Sequence, residues 1–549
     1  MSTVKKYTSH YIIIGLLWFV LIFVSAWKDV WFTKTITWGM TQTEKDSFFF
    51  LSIAFSILIW SLPILINNIL FIIIGTLKVL WTTCCLWFFL YFNHYPQLTL
   101  ILKLFNQTRD LVLTKSLPYY PSLWLTLLEV PFFIALFIFF KKINLKKNKI
   151  FILSLSVLFL SSVITGSLLW LKGFNAKNFN NDLTYYGDPF FVRKFGLLTW
   201  QIKNLFKKNP ILPYSKRIIF SSGRKNYKNI ILIQVESLDA GIIRTTWKGK
   251  PVTPFLNKLS YKSLYYPAVM SFHKGGGTSD AEFSIINSVE PPSDRVIIMD
   301  NTLLYSNSFV KCLKDAGYKT LIFHGNTGKF WNRSIALPRM GYSIFEDTST
   351  MPLKRSGWGI PDHLVFDYAL KKISKLINSE TNFFCHIITL SSHEPYHLVL
   401  NYFTNNFFNF IPDKLTSNFF ISMNYVDRCI EKFVNEILKL PDITVIIIGD
   451  HAALEMKNFS CSRVKKSPVL LDFVPLFLIS SEKNIKEERK IAASFLDIGP
   501  TILYISGIPF KIHSDGENLT DNISKRSLIS QNNMVWSRLE LYNIWANRP

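Results

Sequence analysis

Long apolar runs dominate the first third of this 549-residue chain. A helix needs roughly 20 predominantly apolar residues to cross the hydrocarbon core of a bilayer. The runs that approach or reach this length cover residues 11–27, 48–66, 70–92, 123–140 and 150–171. Asn67 and Asn68 separate the second run from the third, so a single long re-entrant segment is the alternative there. The pattern predicts an N-terminal bundle of about five transmembrane helices over residues 1–171.

The lysines of this region predict its orientation. The short stretch at residues 141–149 (KKINLKKNK) holds five lysines and, with Lys5 and Lys6, marks the cytoplasmic side by the positive-inside rule. Five crossings that start inside leave everything after Leu171 outside the cell membrane. Glu129, within the fourth run, is either a functional intramembrane carboxylate or, as we prefer, a group that faces water or a neighbouring helix.

Residues 172–227 have no strong periodicity and are predicted to be a linker. An amphipathic stretch at residues 195–206 suits a helix that lies along the bilayer surface. After residue 228 the pattern changes to short, β-branched apolar runs at residues 230–235, 320–324, 383–390 and 443–450. Helical stretches such as residues 307–316 and 365–377 lie between them. This alternation predicts an α/β domain with a largely parallel sheet over residues 228–510, followed by a C-terminal tail at 511–549.

Charge and cysteine content narrow the function classes. The formal charge is +24, but no basic stripe interleaved with aromatic residues is present, so nucleic acid is not an expected partner. A basic surface beside anionic lipid headgroups explains the charge better. The six cysteines include no C-x-x-C pair, and we expect buried free thiols rather than a disulfide scaffold or a zinc ribbon.

Candidate metal ligands follow two of the predicted strands. Glu236 comes directly after the run at 230–235, and Asp450 with His451 ends the run at 443–450. In parallel sheets the chemistry lies at the carboxyl ends of strands, so these side chains should converge. Two carboxylates and one imidazole suit Mn²⁺ or Mg²⁺, and Zn²⁺ is also compatible. The alternative is that the Asp-His pair only caps a turn.

A glycine-rich turn at residues 275–277 opens into a helical pattern and carries the candidate nucleophile, Thr278. Such a turn supplies backbone N–H groups and a positive dipole end to a phosphate. A threonine hydroxyl needs a base or a metal ion to become nucleophilic, and the predicted metal site would provide it. Alternatively, Thr278 caps the helix. His393, in a loop after a strand, is a further candidate because it can exchange protons near neutral pH.

The chain resembles the lipoteichoic acid synthase family, the phosphoglycerol transferase branch of the sulfatase and alkaline phosphatase superfamily. The segments that carry the resemblance are, in order, NIILIQVESL, TPFLNKL, GGGTSDAEF, FHGNTGKFWNR, SSHEPY and IGDH, with VPLFLIS and LDIGPTILYISGIP near the end. They extend over residues 228–507. The resemblance implies a sulfatase-like extracytoplasmic domain on a membrane anchor.

The resemblance also implies roles for individual residues. A divalent ion, Mn²⁺ before Mg²⁺ or Zn²⁺, would be held by Glu236, Thr278, Asp450 and His451, with Thr278 as the nucleophile. The phosphate would meet His393, and the phosphoglycerol head group would be bound by His324, Trp331 and Arg333. By themselves, Trp331 equally suits a hydrophobic core and Arg333 an ion pair with an acidic residue.

The implied activity is a membrane-bound phosphotransferase that moves phosphoglycerol from phosphatidylglycerol to a glycan or polyglycerolphosphate acceptor through a phospho-threonine intermediate. The implied location is the plasma membrane of a bacterium. The runner-up is a phosphoethanolamine transferase acting on lipid A or a surface glycan, followed by a phosphodiesterase and a non-enzymatic envelope protein. Sulfate-ester hydrolysis is disfavoured because the C-x-P-x-R motif of true sulfatases is absent around Thr278.

Overall fold

A computed structural model describes residues 2–36, 42–66, 68–92, 121–142, 160–168, 192–206, 215, 217–223, 228–272, 277–291, 296–300, 303–357, 359–394, 396, 398–400, 407–453, 456–466, 469–481, 486–531 and 534–548. The chain divides into two compact units. One contains the N-terminal helices, and the other contains residues 210–466 and 470–549.

The first unit is helical. Its elements are the helices Ser2–Ile36, Gln42–Ile66 and Asn68–Phe92, the 3₁₀ helix Pro121–Leu127, and the helices Val130–Lys142 and Leu197–Phe206. Three segments of the described residues are long and apolar enough to cross a membrane: Ile13–Ile36, Ile69–Leu90 and Pro121–Ile138. A shorter apolar helical segment, Phe48–Trp60, lies in the second helix. The chain therefore has the helices of a membrane protein.

The second and third predicted spans form two separate helices that pack against each other, rather than one re-entrant segment. The fifth predicted span, residues 150–171, lies mostly outside the described residues, although residues 160–168 are helical. The predicted amphipathic stretch at residues 195–206 forms the helix Leu197–Phe206, which starts after Gly196 at a φ of +85°. Its position at the bilayer surface stays a prediction.

Glu129 lies where the fourth predicted span is interrupted. The 3₁₀ helix ends at Leu127, and the regular helix begins at Val130. Oε1 of Glu129 is 2.9 Å from Nζ of Lys28 and 3.0 Å from Nζ of Lys78. The side chains of Lys28 and Glu129 are fully buried, so this carboxylate faces neighbouring helices and is neutralised by them.

The second unit is an α/β domain. Its strands are β1 Ile218–Ser221, β2 Asn229–Val235, β3 Thr246–Trp247, β4 Lys250–Pro251, β5 Leu264–Ser271, β6 Lys319–His324, β7 Ile344–Glu346, β8 Phe383–Ile388, β9 Ile443–Gly449, β10 Arg463–Lys466, β11 Val469–Ser480, β12 Glu487–Glu488, β13 Ala493–Ser494, β14 Phe510–His513, β15 Leu528–Gln531 and β16 Met534–Ser537. Its α-helices are Pro254–Leu259, Thr278–Asn287, Phe309–Asp315, Arg333–Arg339, Asp362–Asn378, Lys414–Ile437, Ile498–Ser506 and Arg538–Ala546, and short 3₁₀ turns join several elements.

The central sheet has the order β12-β5-β11-β9-β2-β8-β6-β7. Strands β9, β2, β8, β6 and β7 are parallel, and β11 runs antiparallel between β9 and β5. Ile231, Ile233 and Val235 join one core cluster with the helices Asp362–Asn378 and Lys414–Ile437. The alternate residue Leu232 is equally buried, and the helix Ile498–Ser506 packs against β2. The predicted α/β fold with a largely parallel sheet is confirmed.

The four predicted strands are the adjacent parallel strands β6, β8, β2 and β9. Strand β8 ends at Ile388, two residues before the end of the predicted run. The backbone N–H groups of Leu390 and Ser391 donate to the carboxylate of Asp362, at 2.8 and 3.0 Å, and so leave the sheet. This bend begins the loop that carries His393.

The segments on either side of the predicted domain also contribute structure. Strand β1, from the predicted linker at 172–227, pairs antiparallel with β14, which extends into the predicted tail at 511–549. Farther along, the buried guanidinium of Arg538 forms two hydrogen bonds of 2.8 Å with Asp497.

Candidate active site

The candidate ligands come together at the ends of two adjacent strands. Glu236 follows β2 and Asp450 follows β9, and the last residues of these parallel strands, Val235 and Gly449, are register partners. One ligand atom each of Glu236, Asp450 and His451 lies within 4.8 Å of the others. Both carboxylates are buried. The parallel register therefore creates a compact cluster of two carboxylates and one imidazole.

The ring of His451 presents one nitrogen to both carboxylates. Its Nε2 atom is 3.2 Å from Oε1 of Glu236 and 3.7 Å from Oδ2 of Asp450. Its Nδ1 atom is 3.0 Å from the carbonyl oxygen of Ala452. Because a carbonyl only accepts hydrogen bonds, Nδ1 carries the proton, which leaves Nε2 as the nitrogen that can bind a metal ion.

Burial and mutual charge shift the pKa of every member of the cluster. Burial, together with the charge of Glu236, raises the pKa of Asp450 to about 8. For Glu236, burial acts upward, but His393 and His451 outweigh it and lower the pKa well below its usual range. For His451, burial acts downward, but Asp450 and Glu236 outweigh it and raise the pKa to about 10. The cluster thus stabilises a positive charge that lies between its two carboxylates.

The donor set fits a divalent cation. Oδ2 of Asp450 is buried and has no hydrogen-bond partner among the described residues, a costly state for a carboxylate oxygen unless a cation is bound to it. Ligands at about 2.1 Å from a common ion are separated from each other by about 3 to 4 Å, which is close to the spacing of the cluster. Carboxylates with one imidazole suit Mn²⁺, Mg²⁺ or Zn²⁺, and the identity of the ion stays a prediction.

Thr278 lies beside this cluster, in the first turn of the helix Thr278–Asn287. The N-cap residue is Gly277, at a φ of 53°, which has no side chain to cap the helix. The hydroxyl of Thr278 instead donates to Oε2 of Glu236 over 3.1 Å. The alternative in which this side chain caps the helix is therefore not the arrangement observed. Gly275 and Gly276 lie outside the described residues.

His393 is in the loop after β8. Its Nδ1 atom is 2.6 Å from the carbonyl oxygen of Glu394 and so carries a proton. Its charge interaction with Glu236 is the largest of those that lower the pKa of that carboxyl. His393 therefore belongs to the same electrostatic environment as the cluster.

The three predicted head-group residues form a second, buried group. Nδ1 of His324 is 3.2 Å from the carbonyl oxygen of Ile388, and its Nε2 atom is 3.4 Å from Nη1 of Arg333. Burial and the charge of Arg333 lower the pKa of His324 to about 3, so the ring is neutral. Trp331 is buried and, like Asn332, has a left-handed backbone, with φ values of 55° and 59°. This strained turn leads directly into Arg333.

Sequence reasoning missed several residues that hold the site together. Ser237, at a φ of 56°, donates its N–H to Oδ1 of Asp450 and its hydroxyl to Oε1 of Glu236. The carboxylate of Asp239 accepts N–H bonds from Ala453 and Ser462 and so joins the loops that follow Glu236 and His451. The only feature of the sequence that pointed to Ser237 and Asp239 was their position just after Glu236. A left-handed backbone and long-range hydrogen bonds leave no recognisable pattern in a sequence.

Comparison with known proteins gives consistent results. A sequence model described as Sulfatase matches residues 228–508. Lipoteichoic acid synthase 2 of Bacillus subtilis (strain 168) is 30% identical over 330 residues, which cover 57% of this chain and 49% of that protein. Lipoteichoic acid synthase of Staphylococcus aureus (strain COL) is 29% identical over 305 residues, covering 53% of this chain and 47% of that protein. The chain spans about half the length of the curated relatives it matches.

A solved structure extends the likeness in fold to most of the chain. The integral membrane protein lipooligosaccharide phosphoethanolamine transferase A (EptA) from Neisseria meningitidis superimposes with a TM-score of 0.53. The match covers 90% of this chain and 95% of that chain, at 14% sequence identity. At this identity the likeness establishes a shared fold.

Proposed function

This chain belongs to the sulfatase family, and from that membership we propose that it transfers a phosphoglycerol group from phosphatidylglycerol to a hydroxyl acceptor. One observation carries the proposal: the Thr278 hydroxyl, in the first turn of a helix, lies 3.1 Å from Oε2 of Glu236, one of three clustered metal-ligand candidates. The names of the relatives that are 29–30% identical, lipoteichoic acid synthases, support the phosphoglycerol group as the transferred species.

Glu236, Asp450 and His451, together with the Thr278 hydroxyl, would hold the divalent ion, and Mn²⁺ is our proposal for its identity. When bound, such an ion supplies positive charge that favours the deprotonated form of the hydroxyl. In the present arrangement that hydroxyl already directs its proton to Glu236. The N-terminus of the helix Thr278–Asn287 adds a favourable field for the incoming phosphate.

The reaction has two displacements at phosphorus. In the first, the Thr278 oxygen forms a bond to the phosphorus of phosphatidylglycerol, and the bond from phosphorus to the diacylglycerol oxygen breaks. Diacylglycerol leaves with a proton, and glycerophosphoryl-threonine remains. In the second, an acceptor hydroxyl forms a bond to the same phosphorus, and the bond from phosphorus to the Thr278 oxygen breaks. The acceptor takes the phosphoglycerol group, and the proton that it loses restores the threonine hydroxyl. Positioning and charge neutralisation dominate such transfers.

The family resemblance implies the roles of the other predicted residues. His393, whose Nδ1 atom faces the carbonyl oxygen of Glu394, would contact the donor phosphate. Arg333 would bind the phosphate side of the head group. Neutral His324, whose Nε2 atom faces Nη1 of Arg333, would line this pocket together with the ring of Trp331.

The apolar N-terminal helices would anchor the enzyme in the membrane that contains its lipid donor. The donor is a lipid, and its other product, diacylglycerol, remains in the bilayer, so a membrane-anchored enzyme can use both without extracting them. We propose the plasma membrane of a bacterium, with the α/β domain outside. The acceptor would be a glycan or a glycerophosphate polymer of the cell envelope.

Mass spectrometry of lipid products would test the donor. The full-length protein in detergent is incubated with Mn²⁺ and either phosphatidylglycerol or phosphatidylethanolamine carrying the same acyl chains. We expect diacylglycerol from phosphatidylglycerol only. Release from phosphatidylethanolamine only would favour the runner-up, a phosphoethanolamine transferase. No product from either lipid, with metal bound, would overturn the proposal and favour a non-enzymatic envelope protein.

A further inference from the structure

The helix that begins with Thr278 carries a buried acid, Glu282, one turn after Thr278. Residues four apart lie on the same face of a helix, with Cβ atoms about 6 Å apart. Glu282 is fully buried and lies opposite the equally buried Arg333. The candidate nucleophile and the acid that pairs with the candidate head-group arginine are therefore fixed on one rigid element.

Glu282 holds the guanidinium in one orientation. Nε of Arg333 donates to Oε1 and Oε2 of Glu282 at 2.9 and 3.1 Å, and Nη2 donates to Oε1 at 2.6 Å. Two donor nitrogens on one carboxylate define the plane and rotation of the guanidinium, which one contact cannot do. Nη1 is left to extend toward His324, 3.4 Å away.

The same pairing fixes the protonation of His324. Nδ1 of His324 must carry the proton because it faces the carbonyl oxygen of Ile388 at 3.2 Å. Nε2 is therefore an acceptor, and Nη1 of Arg333 is the donor that points at it. A chain of contacts from Glu282 through Arg333 to His324 sets the orientation of two groups in the proposed head-group pocket.

We infer that Glu282 is a positioning residue for donor binding: through its buried two-nitrogen pairing with Arg333, it aims that guanidinium and His324 at the phosphoglycerol head group. This inference rests on the proposed function, because it takes Arg333 to be the head-group arginine. Of the five guanidinium N–H groups, three contact Glu282 and His324 among the residues that the structure describes, so two can meet phosphate oxygens. Buried ion pairs seldom add net stability over apolar replacements, so a positional role explains this one better.

The test is a double-mutant cycle in the full-length enzyme with phosphatidylglycerol as donor. Glu282→Gln keeps the shape of the side chain and removes its charge, so the guanidinium is no longer fixed. We expect KM for the donor to rise by about 10- to 100-fold, with kcat changed less and metal content unchanged. Glu282→Asp should restore part of the loss. In the background of Arg333→Gln, Glu282→Gln should cost nothing further, since its target is gone.

The controls separate the possible failures. Glu436→Gln, at an exposed acid that pairs with Lys439, is the matched control and should leave KM unchanged. An unchanged KM in Glu282→Gln, or losses that add in the double variant, would overturn the positioning role while wild-type turnover stands. Absent wild-type turnover would overturn the proposed function and this inference with it. If Glu282→Gln fails to fold, two other comparisons test the inference. Glu282→Asp is compared with the wild type, and the double variant, which has no unpaired charge, is compared with Arg333→Gln.

Discussion

The backbone N–H of Ser237 donates to Oδ1 of Asp450 over 2.8 Å, and this bond joins the ends of the two strands that carry the candidate metal ligands. The left-handed backbone of Ser237 turns its N–H toward β9. Its hydroxyl at the same time donates to Oε1 of Glu236 over 3.0 Å. Two buried carboxylates that repel each other are thus held at fixed positions before any cation arrives.

Asp450→Asn should lower metal content and activity together. The amide oxygen can still accept the N–H of Ser237, so the local fold is kept, but the second carboxylate oxygen, which has no hydrogen-bond partner among the described residues, is replaced by an NH₂ group that cannot bind a cation. We expect at least about a tenfold loss of metal affinity, measured by elemental analysis after dialysis, with a parallel loss of diacylglycerol release. The exposed Asp367→Asn is the matched control. Full metal content in Asp450→Asn would remove this residue from the ligand set.

The strands of this protein were predictable from the sequence because parallel strands buried on both faces give short, continuous apolar runs. The four short apolar runs correspond to β2, β6, β8 and β9, and the carboxylates that end β2 and β9 do lie together. Parallel register alone makes this outcome predictable, since neighbouring strands end at the same edge of the sheet.

Tertiary contacts were not accessible in this way. Nothing in the sequence pairs Glu282 with Arg333, 51 positions later, because that contact arises from how the helix and the turn before Arg333 pack. The early end of β8 likewise depends on Asp362, a residue far away in sequence that captures two backbone N–H groups. The position of Glu129, where the fourth predicted span is interrupted, likewise involves partners in other helices, Lys28 and Lys78.

Thr278→Ala should abolish diacylglycerol release without unfolding the domain. The substitution removes one hydroxyl and one methyl group from the first turn of a helix, where alanine is well tolerated. Both proposed displacements need the oxygen, so we expect a loss of at least about 1,000-fold in kcat. Thr278→Ser, which keeps the hydroxyl, should retain measurable turnover. Near-normal turnover by the alanine variant, with unchanged metal content, would require direct attack by the acceptor or by water.

Glu129→Leu should destabilise the helical unit. It leaves Lys28 and Lys78 without the carboxylate that lies 2.9 and 3.0 Å from their ammonium groups. Removing one partner of a buried ion pair costs about 3 to 5 kcal/mol. The expected result is a lower yield of monodisperse protein in mild detergent and a lower unfolding midpoint. The triple variant Lys28→Met, Lys78→Met, Glu129→Leu should recover much of this loss, and equal loss in both variants would argue against charge as the cause.

A buried histidine within strand β8 should make the α/β domain sensitive to acid. His386 lies in β8, fully buried, with Nδ1 2.8 Å from the hydroxyl of Tyr342. Its Nε2 atom has no hydrogen-bond partner among the residues that the structure describes. Burial, with a smaller contribution from the charge of Arg333, lowers the pKa of His386 to about 3. The folded protein therefore keeps this ring neutral over most of the pH range in which an unfolded chain protonates it.

The sign of the pH effect follows from proton counting. Between pH 6.5, the ordinary value for histidine, and about 3, the unfolded chain binds one more proton at His386 than the folded protein does. Above pH 6.5, His386 does not lower the free energy of unfolding. Below pH 6.5, it lowers the free energy of unfolding by up to about 1.4 kcal/mol per pH unit. His386→Asn removes the titration, while its amide oxygen can still accept from Tyr342. Unfolding midpoints of both full-length proteins, measured from pH 7.5 to 5, should decrease less for the variant because it lacks the titration of His386. His324 also has a lowered pKa, but it titrates equally in both proteins and cancels in the comparison. Parallel curves would mean that His386 becomes protonated in the folded state without cost.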